Sequence, residues 1–232
     1  MGLEEKVTAI IPLRGGSQRV KDKNLTLVGG ETLLERKIRI LRECSNVNDM
    51  IVCSDSDKIL DVAKEKKTKT FKMEAQYASS NIHFNKAIKY ILSNVPGEHV
   101  MWSQVTSPLV KKETFEETIK TYFDKLKEGY DSLTTYTPLQ AYLWNENGPI
   151  NYSRGHHVRS QDLPIYRSLN FAMMIIPREL GIKEEYYIGR KPYMVEIKQD
   201  EAVDIDNEIN LFMSNAFLMR ESMNDYFEKK YI

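Results

Sequence analysis

The sequence predicts an α/β fold in which a mostly parallel sheet carries helices on both faces. Two observations support this prediction. Short apolar runs end at glycines or polar clusters, as VTAIIPL (7–13) does before Arg14-Gly15-Gly16, which is typical of strands buried on both sides. Between these runs lie longer segments whose apolar residues recur at helical spacing. Strands that alternate with helices favour right-handed crossovers, so the predicted sheet is Rossmann-like.

The first half of the chain alternates regularly between strands and helices. After the strand 7–13, residues 32–44 place Leu34, Ile38 and Leu41 at positions i, i+4 and i+7, which predicts a helix. The elements that follow are a strand at 49–55, a helix through Ile59, Leu60 and Ala63, a short strand at 68–73, and a helix through Phe84, Ala87, Ile88, Ile91 and Leu92.

The second half continues the alternation and then interrupts it. Residues 138–167 are polar and contain several prolines and glycines, so we interpret them as an excursion inserted into a single domain that covers residues 1–232. The regular elements are strands at 99–105, 132–137, 168–177 and 191–197, a helix through Phe115, Ile119, Tyr122 and Leu126, and a helix at 207–223.

Composition limits the functional classes. Lys plus Arg equals Asp plus Glu at 33 each, so no overall positive charge favours nucleic acid as a partner. Cys44 and Cys53 lack metal-ligand spacing and stand in apolar surroundings, which predicts buried thiols in a reducing compartment. No apolar run is long enough to span a membrane, and the N-terminal residues lack the pattern of a signal peptide. We therefore expect a cytoplasmic protein that binds neither nucleic acid nor membrane.

Three polar segments follow predicted strands. Ligands bind beyond the carboxyl ends of parallel strands, so these segments should share one functional edge of the sheet. They are the glycine loop after residue 13, SDSD (54–57) and QVTSPL (104–109). The Gln, Thr and Ser side chains of the last segment could bind a base or a sugar by hydrogen bonds, although a strand-to-helix turn uses the same residue types.

The glycine loop combines two features that favour an anion. Glycines let backbone N–H groups converge on an oxyanion, and cationic side chains nearby could neutralise its charge. The basic residues of the loop are Arg14, Arg19, Lys21 and Lys23. The loop matches neither the P-loop nor the dinucleotide pattern, so an ordinary turn with solvated charges explains the loop alone equally well.

VDID (203–206) is a second candidate site, for a metal ion. Asp204 and Asp206 lie at i and i+2, so on an extended segment they point the same way and could share Mg²⁺. The competing interpretation makes Asp206 a helix N-cap and leaves Asp204 solvated. The pair His156-His157 resembles metal ligands, but adjacent side chains diverge, and we interpret this pair as part of a surface loop.

Five segments, taken in chain order, carry a resemblance to one family. They are AIIPLRGGSQRVKDKNL (9–25), VCSDSDKI (52–59), SQVTSPLV (103–110), RSQDLPIY (159–166) and DIDNEINL (204–211). Together they resemble the motifs of the acylneuraminate cytidylyltransferases, also called CMP-N-acetylneuraminic acid (CMP-sialic acid) synthetases. The resemblance covers nearly the whole chain. It implies the fold of the nucleotide-diphospho-sugar transferases, with residues 138–167 as a small excursion for dimerisation and substrate binding.

The resemblance also implies a reaction. In this family the anomeric hydroxyl of a 2-keto sugar acid attacks the α-phosphate of CTP, which releases pyrophosphate and forms a CMP-sugar for surface glycan synthesis. Catalysis there depends on positioning and on neutralising the phosphates with Mg²⁺ and cationic side chains. The implied partners are CTP, a small acidic sugar and a second copy of the chain in a homodimer.

Matching positions receive roles by the same resemblance. Nucleotide binding is implied for Leu13, Arg14, Gly15, Gly16, Ser17, Arg19, Lys23, Asn24, Ser80 and Gln104. Substrate binding is implied for Gln104, Thr106, Ser107, Arg159, Gln161, Tyr166 and Asn170. Catalytic roles are implied for Arg14, Lys23 and Asp206, and Mg²⁺ binding for Asp204 and Asp206.

Some positions depart from the family motifs. Gln18 stands where the family has lysine, Lys72-Met73 where it has Arg-Pro, and Val105 where it has proline. Phe171 replaces the glycine of an Asn-Gly pair that helps to shape the sugar pocket, so the acceptor could be sialic acid or a related nonulosonic acid of the pseudaminate type. Two alternatives stay open, a nucleotidylyltransferase for a phosphorylated or octulosonate-type acceptor and a non-catalytic nucleotide-binding homologue.

Overall fold

The protein folds around one seven-stranded sheet. The computed structural model describes residues 5–16, 23–79 and 81–231, with side chains throughout these ranges except at 23 and 222–231. The strands are β1 (Val7–Leu13), β2 (Leu27–Val28), β3 (Glu31–Thr32), β4 (Val47–Ser54), β5 (Lys69–Lys72), β6 (His99–Trp102), β7 (Ser132–Leu139), β8 (Trp144–Asn145), β9 (Gly148–Pro149), β10 (Tyr166–Pro177) and β11 (Pro192–Glu196). The helices are α1 (Leu33–Glu43), α2 (Asp57–Glu65), α3 (Ala75–Ala78), α4 (Phe84–Asn94), α5 (Lys112–Lys127), α6 (Arg178–Glu184) and α7 (Glu208–Tyr231).

The predicted mostly parallel sheet is confirmed, with one antiparallel strand. The strand order is β11-β7-β10-β6-β1-β4-β5. β1 pairs in parallel with β4 and β6, β4 with β5, and β7 with β11. β10 is antiparallel to both of its neighbours, β6 and β7. Between β7 and β10 the chain forms only the β8–β9 hairpin and a short 3-10 turn instead of a crossover helix, so it returns in the opposite direction.

The core occupies both faces of the sheet. Successive side chains of a strand point to opposite faces, and β1 illustrates the consequence. Ala9 and Ile11 pack in the cluster that contains the apolar residues of α1 and α5, whereas Ile10 packs in the cluster with those of α4. All three side chains are fully buried. This two-layer burial confirms that helices cover both faces.

The ends of several elements differ from the predicted ones at places that matter for the site. β6 ends at Trp102, so Gln104 and Ser107 lie in the loop that follows the strand. β7 extends to Leu139 and β10 begins at Tyr166, and these two residues pair with each other. The ends of the predicted excursion therefore belong to the sheet. α7 continues to Tyr231, beyond the predicted end at residue 223.

The remaining sequence predictions concern single residues and the membrane. Cys44 and Cys53 are free and buried, as predicted. His156 and His157 are exposed in a loop, which confirms the surface-loop interpretation. Over the ranges that the structure describes, no helix is both long and apolar enough to cross a membrane.

Candidate active site

The loop after β1 and the SDSD segment after β4 meet at one edge of the sheet, as predicted. The Gly15 N–H donates to Asp55 Oδ1 at 2.8 Å. A Cβ at position 15 would lie 3.0 Å from Ser56 Cβ, so the absence of a side chain permits the close approach of the two loops. On the other side of the loop, Asn24 Nδ2 donates to the Arg14 carbonyl at 2.9 Å.

A cavity of about 260 Å³ lies beside Arg14, at the carboxyl ends of β1 and β6. The guanidinium carbon of Arg14 is 5.1 Å from the centre of the Phe84 ring, a cation–π contact that fixes the position of this charge. Gln104 contributes an amide to the wall. The other lining residues are Pro12, Leu13, Met73, Tyr77, Ala87, Ile91 and Trp102. A mostly apolar and aromatic lining with a few polar groups is typical of small-molecule sites.

The polar loop after β6 lies against the predicted metal-binding segment. The Ile205 N–H donates to the Thr106 carbonyl at 2.8 Å. Ile205 is fully buried, and the half-buried Asp204 and Asp206 flank it. Thr106 Oγ1 in turn donates to Gln104 Oε1 at 3.4 Å. A chain of contacts thus connects the two carboxylates to the wall of the cavity.

The interpretation of Asp206 as a helix cap is wrong. Asn207 Oδ1 accepts a hydrogen bond from Asn210 N at 3.0 Å, so Asn207 caps α7. Among the described residues no group of three or more His, Cys, Asp or Glu side chains could hold a metal ion. Two neighbouring carboxylates nevertheless fit Mg²⁺, which commonly binds one or two carboxylates together with substrate phosphates.

Two cations of α1 hold the same loop by its carbonyl groups. Arg36 Nε donates to the Pro108 carbonyl at 2.7 Å, and Lys37 Nζ donates to the Ser107 carbonyl at 3.1 Å. Lys37 is only 1% exposed. Its burial, and next the charge of Arg36, lower the pKa of Lys37 to about 7.

Lys37 was not predicted as a buried residue, although its position carried a signal. Lys37 lies three residues after Leu34 and one before Ile38, on the apolar stripe that predicted α1. Its Nζ is 4.8 Å from the centre of the Phe115 ring, which replaces part of the lost hydration. A lysine on the apolar face of a predicted helix is therefore a sign of a buried cation.

Three predicted sugar-binding residues lie apart from this cavity. Arg159 forms an ion pair with Asp162, at 2.7 Å between Nε and Oδ2, and both side chains are largely exposed. Gln161 is exposed, and Tyr166 is 39% exposed. None of Arg159, Gln161 and Tyr166 is among the residues that line the cavity. The structure of one chain therefore does not bring them together with Arg14.

Asn170 and Phe171 form a break in the pairing of β10 with β7. Asn170 Oδ1 accepts from Thr135 Oγ1 at 2.6 Å, and Asn170 Nδ2 donates to Thr137 Oγ1 at 3.1 Å. Phe171 has a φ of 52°, which is costly for a bulky residue. Its ring is 6.4 Å from that of Tyr187, so the phenyl group that replaces the expected glycine packs against the core.

Several predicted residues lie outside the described ranges. Ser17, Arg19 and Ser80 belong to this group, as do Gln18 and Lys21. Lys23 begins a 3-10 turn at Lys23–Leu25, and its side chain is outside the description. The roles of these residues stay predictions.

Several cavity residues were not predicted as site residues, among them Met73, which the sequence showed only as a departure from a family motif. Trp102 and Met73 are buried, and Tyr77 comes from α3, a helix of four residues. Phe84 was expected in the apolar stripe of α4, but it is 38% exposed and lies beneath Arg14. Its place at the very start of that helix, where a side chain can project past the core, was the available signal.

Comparisons with known proteins agree with the fold and the motifs. The family model for cytidylyltransferase matches residues 8–230. The chain is 28% identical over 168 residues to the pseudaminic acid cytidylyltransferase of Campylobacter jejuni. This match covers 68% of this chain and 72% of that protein. It is 24% identical to N-acylneuraminate cytidylyltransferase A of Danio rerio, over 92% of this chain and 51% of that protein.

A solved structure has the same fold. CMP:2-keto-3-deoxy-manno-octonic acid synthetase, in complex with CTP, superposes with a TM-score of 0.68 at 13% identity, covering 93% of this chain and 99% of that one. This likeness confirms the fold class. The match of the family model extends over nearly the whole chain and confirms the resemblance that the five motifs indicated. The chain belongs to the cytidylyltransferase family of nucleotidyltransferase enzymes.

Proposed function

We propose that this enzyme transfers CMP from CTP to the anomeric hydroxyl of a nonulosonic acid, a 2-keto sugar acid of the sialic or pseudaminic type. The observation that carries the proposal is the hydrogen bond between Ile205 N and the Thr106 carbonyl, which brings two carboxylates beside the loop of the Arg14 cavity. The acceptor class follows the pseudaminic acid and N-acylneuraminate relatives. The product would be a CMP-sugar, with pyrophosphate released.

In this proposal Arg14 and the glycine loop hold the triphosphate. The Gly15 N–H donates a hydrogen bond to Asp55, which holds the loop in place. Arg14 and Gly16, on either side of Gly15, would contact the ligand. Ser17, Arg19, Lys23, Asn24 and Ser80 complete the nucleotide site by family resemblance. Loss of one such charge-stabilising donor lowers rates by roughly 10²- to 10³-fold in other enzymes.

Asp204 and Asp206 would hold Mg²⁺. The ion would neutralise charge on the phosphates and help to orient them. The buried Ile205 between the two aspartates anchors the segment, and its N–H bond to Thr106 ties the segment to Gln104. The carboxylates would therefore keep a fixed distance from the nucleotide cavity.

The sugar site would lie between Thr106, Ser107 and the excursion at 138–167, which carries Arg159, Gln161 and Tyr166. Those three residues do not line the cavity of their own chain, so we propose a homodimer in which the excursion of one protomer completes the site of its partner. The exposed apolar side chains of this part of the chain support an interface. They are Leu139, Tyr142, Trp144, Ile150, Ile165, Tyr166 and Leu169. The excursion would then be an appendage of the single domain.

Two broader expectations belong to the same proposal. The enzyme would act in the cytoplasm, where free thiols such as Cys44 and Cys53 stay reduced. Its CMP-sugar would supply surface glycan synthesis.

Pyrophosphate release tests the proposed reaction. Purified protein with CTP and Mg²⁺ is mixed with sialic, legionaminic, pseudaminic and octulosonic acids and with a phosphorylated sugar. We expect release with at least one nonulosonic acid. Release only with the octulosonic or the phosphorylated acceptor would show that the acceptor is not a nonulosonic acid. No release with any acceptor would favour a non-catalytic nucleotide-binding protein.

Asp206→Asn tests the metal site in the same assay. It should lower turnover by roughly 10²-fold or more, because it removes a charge that holds the metal against the phosphates. Asp200→Asn is the matched control, because Asp200 is exposed in a turn of the preceding segment. Equal rates for the two variants would contradict the assignment of Asp206.

A further inference from the structure

The segment that carries Asp204 and Asp206 has no regular secondary structure of its own. It joins β11 to α7, and residues 202–205 belong to neither a helix nor a strand. Its position therefore depends on single hydrogen bonds rather than on a helix or a sheet ladder. One of them is the bond from Ile205 N to the Thr106 carbonyl at 2.8 Å.

Glu201 forms a second attachment at the start of this segment. Its Oε2 accepts hydrogen bonds from Lys111 N at 2.9 Å and from Thr114 Oγ1 at 2.7 Å. Glu201 is only 5% exposed, and a buried carboxylate is costly unless its oxygens are paired. The contact with α5 therefore accounts for a charged residue at a buried position.

The two donors to Glu201 stand at the start of α5. Lys111 is the N-cap residue of this helix, and its own side chain forms no capping bond. The first N–H groups of a helix lack partners within it, and the positive end of the helix dipole favours an anion there. A serine or aspartate at position 111 could supply a local cap. Instead, the cap comes from a residue 90 positions further along the chain and joins the helix to the Asp204–Asp206 segment.

Both attachments lead to one continuous stretch of chain, residues 106–114. This stretch begins in the loop after β6 and runs into the first turn of α5. One attachment, at Glu201, lies before Asp204 in the sequence. The other, at Ile205, lies between Asp204 and Asp206. Two attachments to the same stretch restrict a rotation of the segment that a single bond would permit.

We propose that Glu201 is a positioning residue for nucleotidyl transfer, an inference that rests on the proposed function. Its carboxylate holds the segment where Asp204 and Asp206 bind Mg²⁺ together with the phosphates of CTP. Glu201 itself contacts neither the ion nor the nucleotide. In other proteins, loss of a residue that orients metal ligands costs about 10- to 100-fold in metal affinity or activity.

The magnesium dependence of CTP binding tests this proposal without any acceptor. Calorimetry gives the dissociation constant of CTP in EDTA and in Mg²⁺, and the ratio of the two measures the contribution of the ion. The wild-type ratio should be well above one. Glu201→Ala should lower this ratio toward one, by roughly 10-fold. The constant in EDTA should stay close to the wild-type value, because Glu201 bonds to the start of α5 and not to the cavity wall.

Three further variants serve as controls. Glu201→Gln keeps a side-chain oxygen that can accept both bonds, so it should restore most of the ratio. Glu116→Ala is the matched control, because Glu116 on α5 accepts two bonds of similar length, 2.7 and 2.8 Å, from Ser45. It should keep the wild-type ratio. Thr114→Val removes one of the two donors to Glu201 and should lower the ratio by a smaller factor, which decides the question if Glu201→Ala does not fold.

Asp206→Asn separates the failure of this proposal from that of the proposed function. If Asp206→Asn lowers the ratio and neither Glu201→Ala nor Thr114→Val does, the metal site stands and the role of Glu201 is overturned. An equal fall of the ratio in Glu116→Ala, or an equal loss of CTP affinity in EDTA and in Mg²⁺ in Glu201→Ala, would also overturn it. A wild-type ratio in Asp206→Asn would overturn the metal assignment and the role of Glu201 together.

Discussion

At the scale of single residues, two cations near the site differ in their surroundings and should differ in their effects. Arg14 is half-buried, lines the cavity and stacks over an exposed aromatic ring. Lys37 is buried behind the loop after β6 and contacts a backbone carbonyl. We propose that the first cation meets the nucleotide, whereas the second is paired within the protein. Function should therefore respond to Arg14, and the pH dependence of folding should respond to Lys37.

Arg14→Ala should lower kcat/KM for CTP by roughly 10- to 10³-fold, because it removes the positive charge that we propose holds the triphosphate. Steady-state kinetics at saturating acceptor measures this change. Arg220→Ala is the matched control, since Arg220 also lies over an aromatic ring, Phe217, at 5.3 Å, but on α7. Wild-type kinetics in Arg14→Ala, or the same loss in both variants, would remove Arg14 from the site.

Lys37→Met should change how stability depends on pH. The ordinary pKa of 10.5 applies to Lys37 in the unfolded chain, whereas burial lowers the pKa to about 7 in the folded protein. Between these values the unfolded chain holds a proton that the folded protein has released, so the free energy of unfolding of the wild type rises with pH. Relative to Lys37→Met, the gain should approach about 1.4 kcal/mol per pH unit.

Urea unfolding at pH 7, 8, 9 and 10 measures this difference. Lys64→Met is the control, because Lys64 is exposed and pairs with Asp61 on the same helix. The Lys64 variant should follow the wild type across the range. A constant difference between wild type and Lys37→Met would show that the lysine keeps its proton in the folded protein.

At the scale of elements, the residues that begin α1 also determine which α1 side chains reach the site. Thr32 and Glu35 form a capping box at its start, with Thr32 Oγ1 accepting from Glu35 N at 3.2 Å and Glu35 Oε2 accepting from Thr32 N at 3.0 Å. The cap fixes where the helix begins. It therefore also fixes which turn carries Arg36 and Lys37 toward the carbonyls of the loop after β6.

Thr32→Ala should destabilise the protein by about 1 kcal/mol, because the helix loses its N-cap acceptor. For a chain of this length the melting temperature should fall by roughly 2 to 4 °C, which differential scanning calorimetry can resolve. Thr32→Ser retains the hydroxyl and should melt close to the wild type. Equal losses in the two variants would mean that the threonine methyl group, and not the cap, stabilises this end of the helix.

Elements with strong periodicity were predictable from the sequence, and short ones were not. α1 and α5 follow a helical stripe over several turns, so their existence and place could be predicted. β2 and β3 have two residues each and α3 has four, too few for a period to emerge. The long elements, which form the sheet and its covering helices, were therefore predictable. The short helix α3, which contributes Tyr77 to the cavity wall, was not.

The candidate site divides in the same way. The glycine loop and the Asp204–Asp206 segment could be predicted because polar residues directly follow strands or precede a helix. Trp102 could not, since a tryptophan inside an apolar strand looks like any core residue. Its place among the residues that line the cavity emerges only in three dimensions.

At the scale of the whole molecule, most of the exposed large apolar side chains of the described residues lie on two parts of the surface. One is the region 139–169 around the excursion, and the other is the outer face of α7. The α7 side chains are Ile209, Phe212, Met213 and Met219. Only the first surface carries predicted sugar-binding residues. If a second copy of the chain completes the site, the contact should bury the excursion.

Ile165→Asp should therefore convert a dimer into a monomer, because a charge within a buried apolar interface loses its hydration without a partner. Light scattering after size exclusion would give a mass near the 27.0 kDa of one chain instead of twice that value. Ile209→Asp is the matched control, since Ile165 and Ile209 are exposed to similar extents, 64% and 70%. The Ile209 variant should remain dimeric and active. The Ile165 variant should lose both the dimer and its catalytic turnover. A dimer that survives Ile165→Asp but dissociates in Ile209→Asp would assign the interface to α7. Arg159 and Gln161 would then not contribute to the site of a partner.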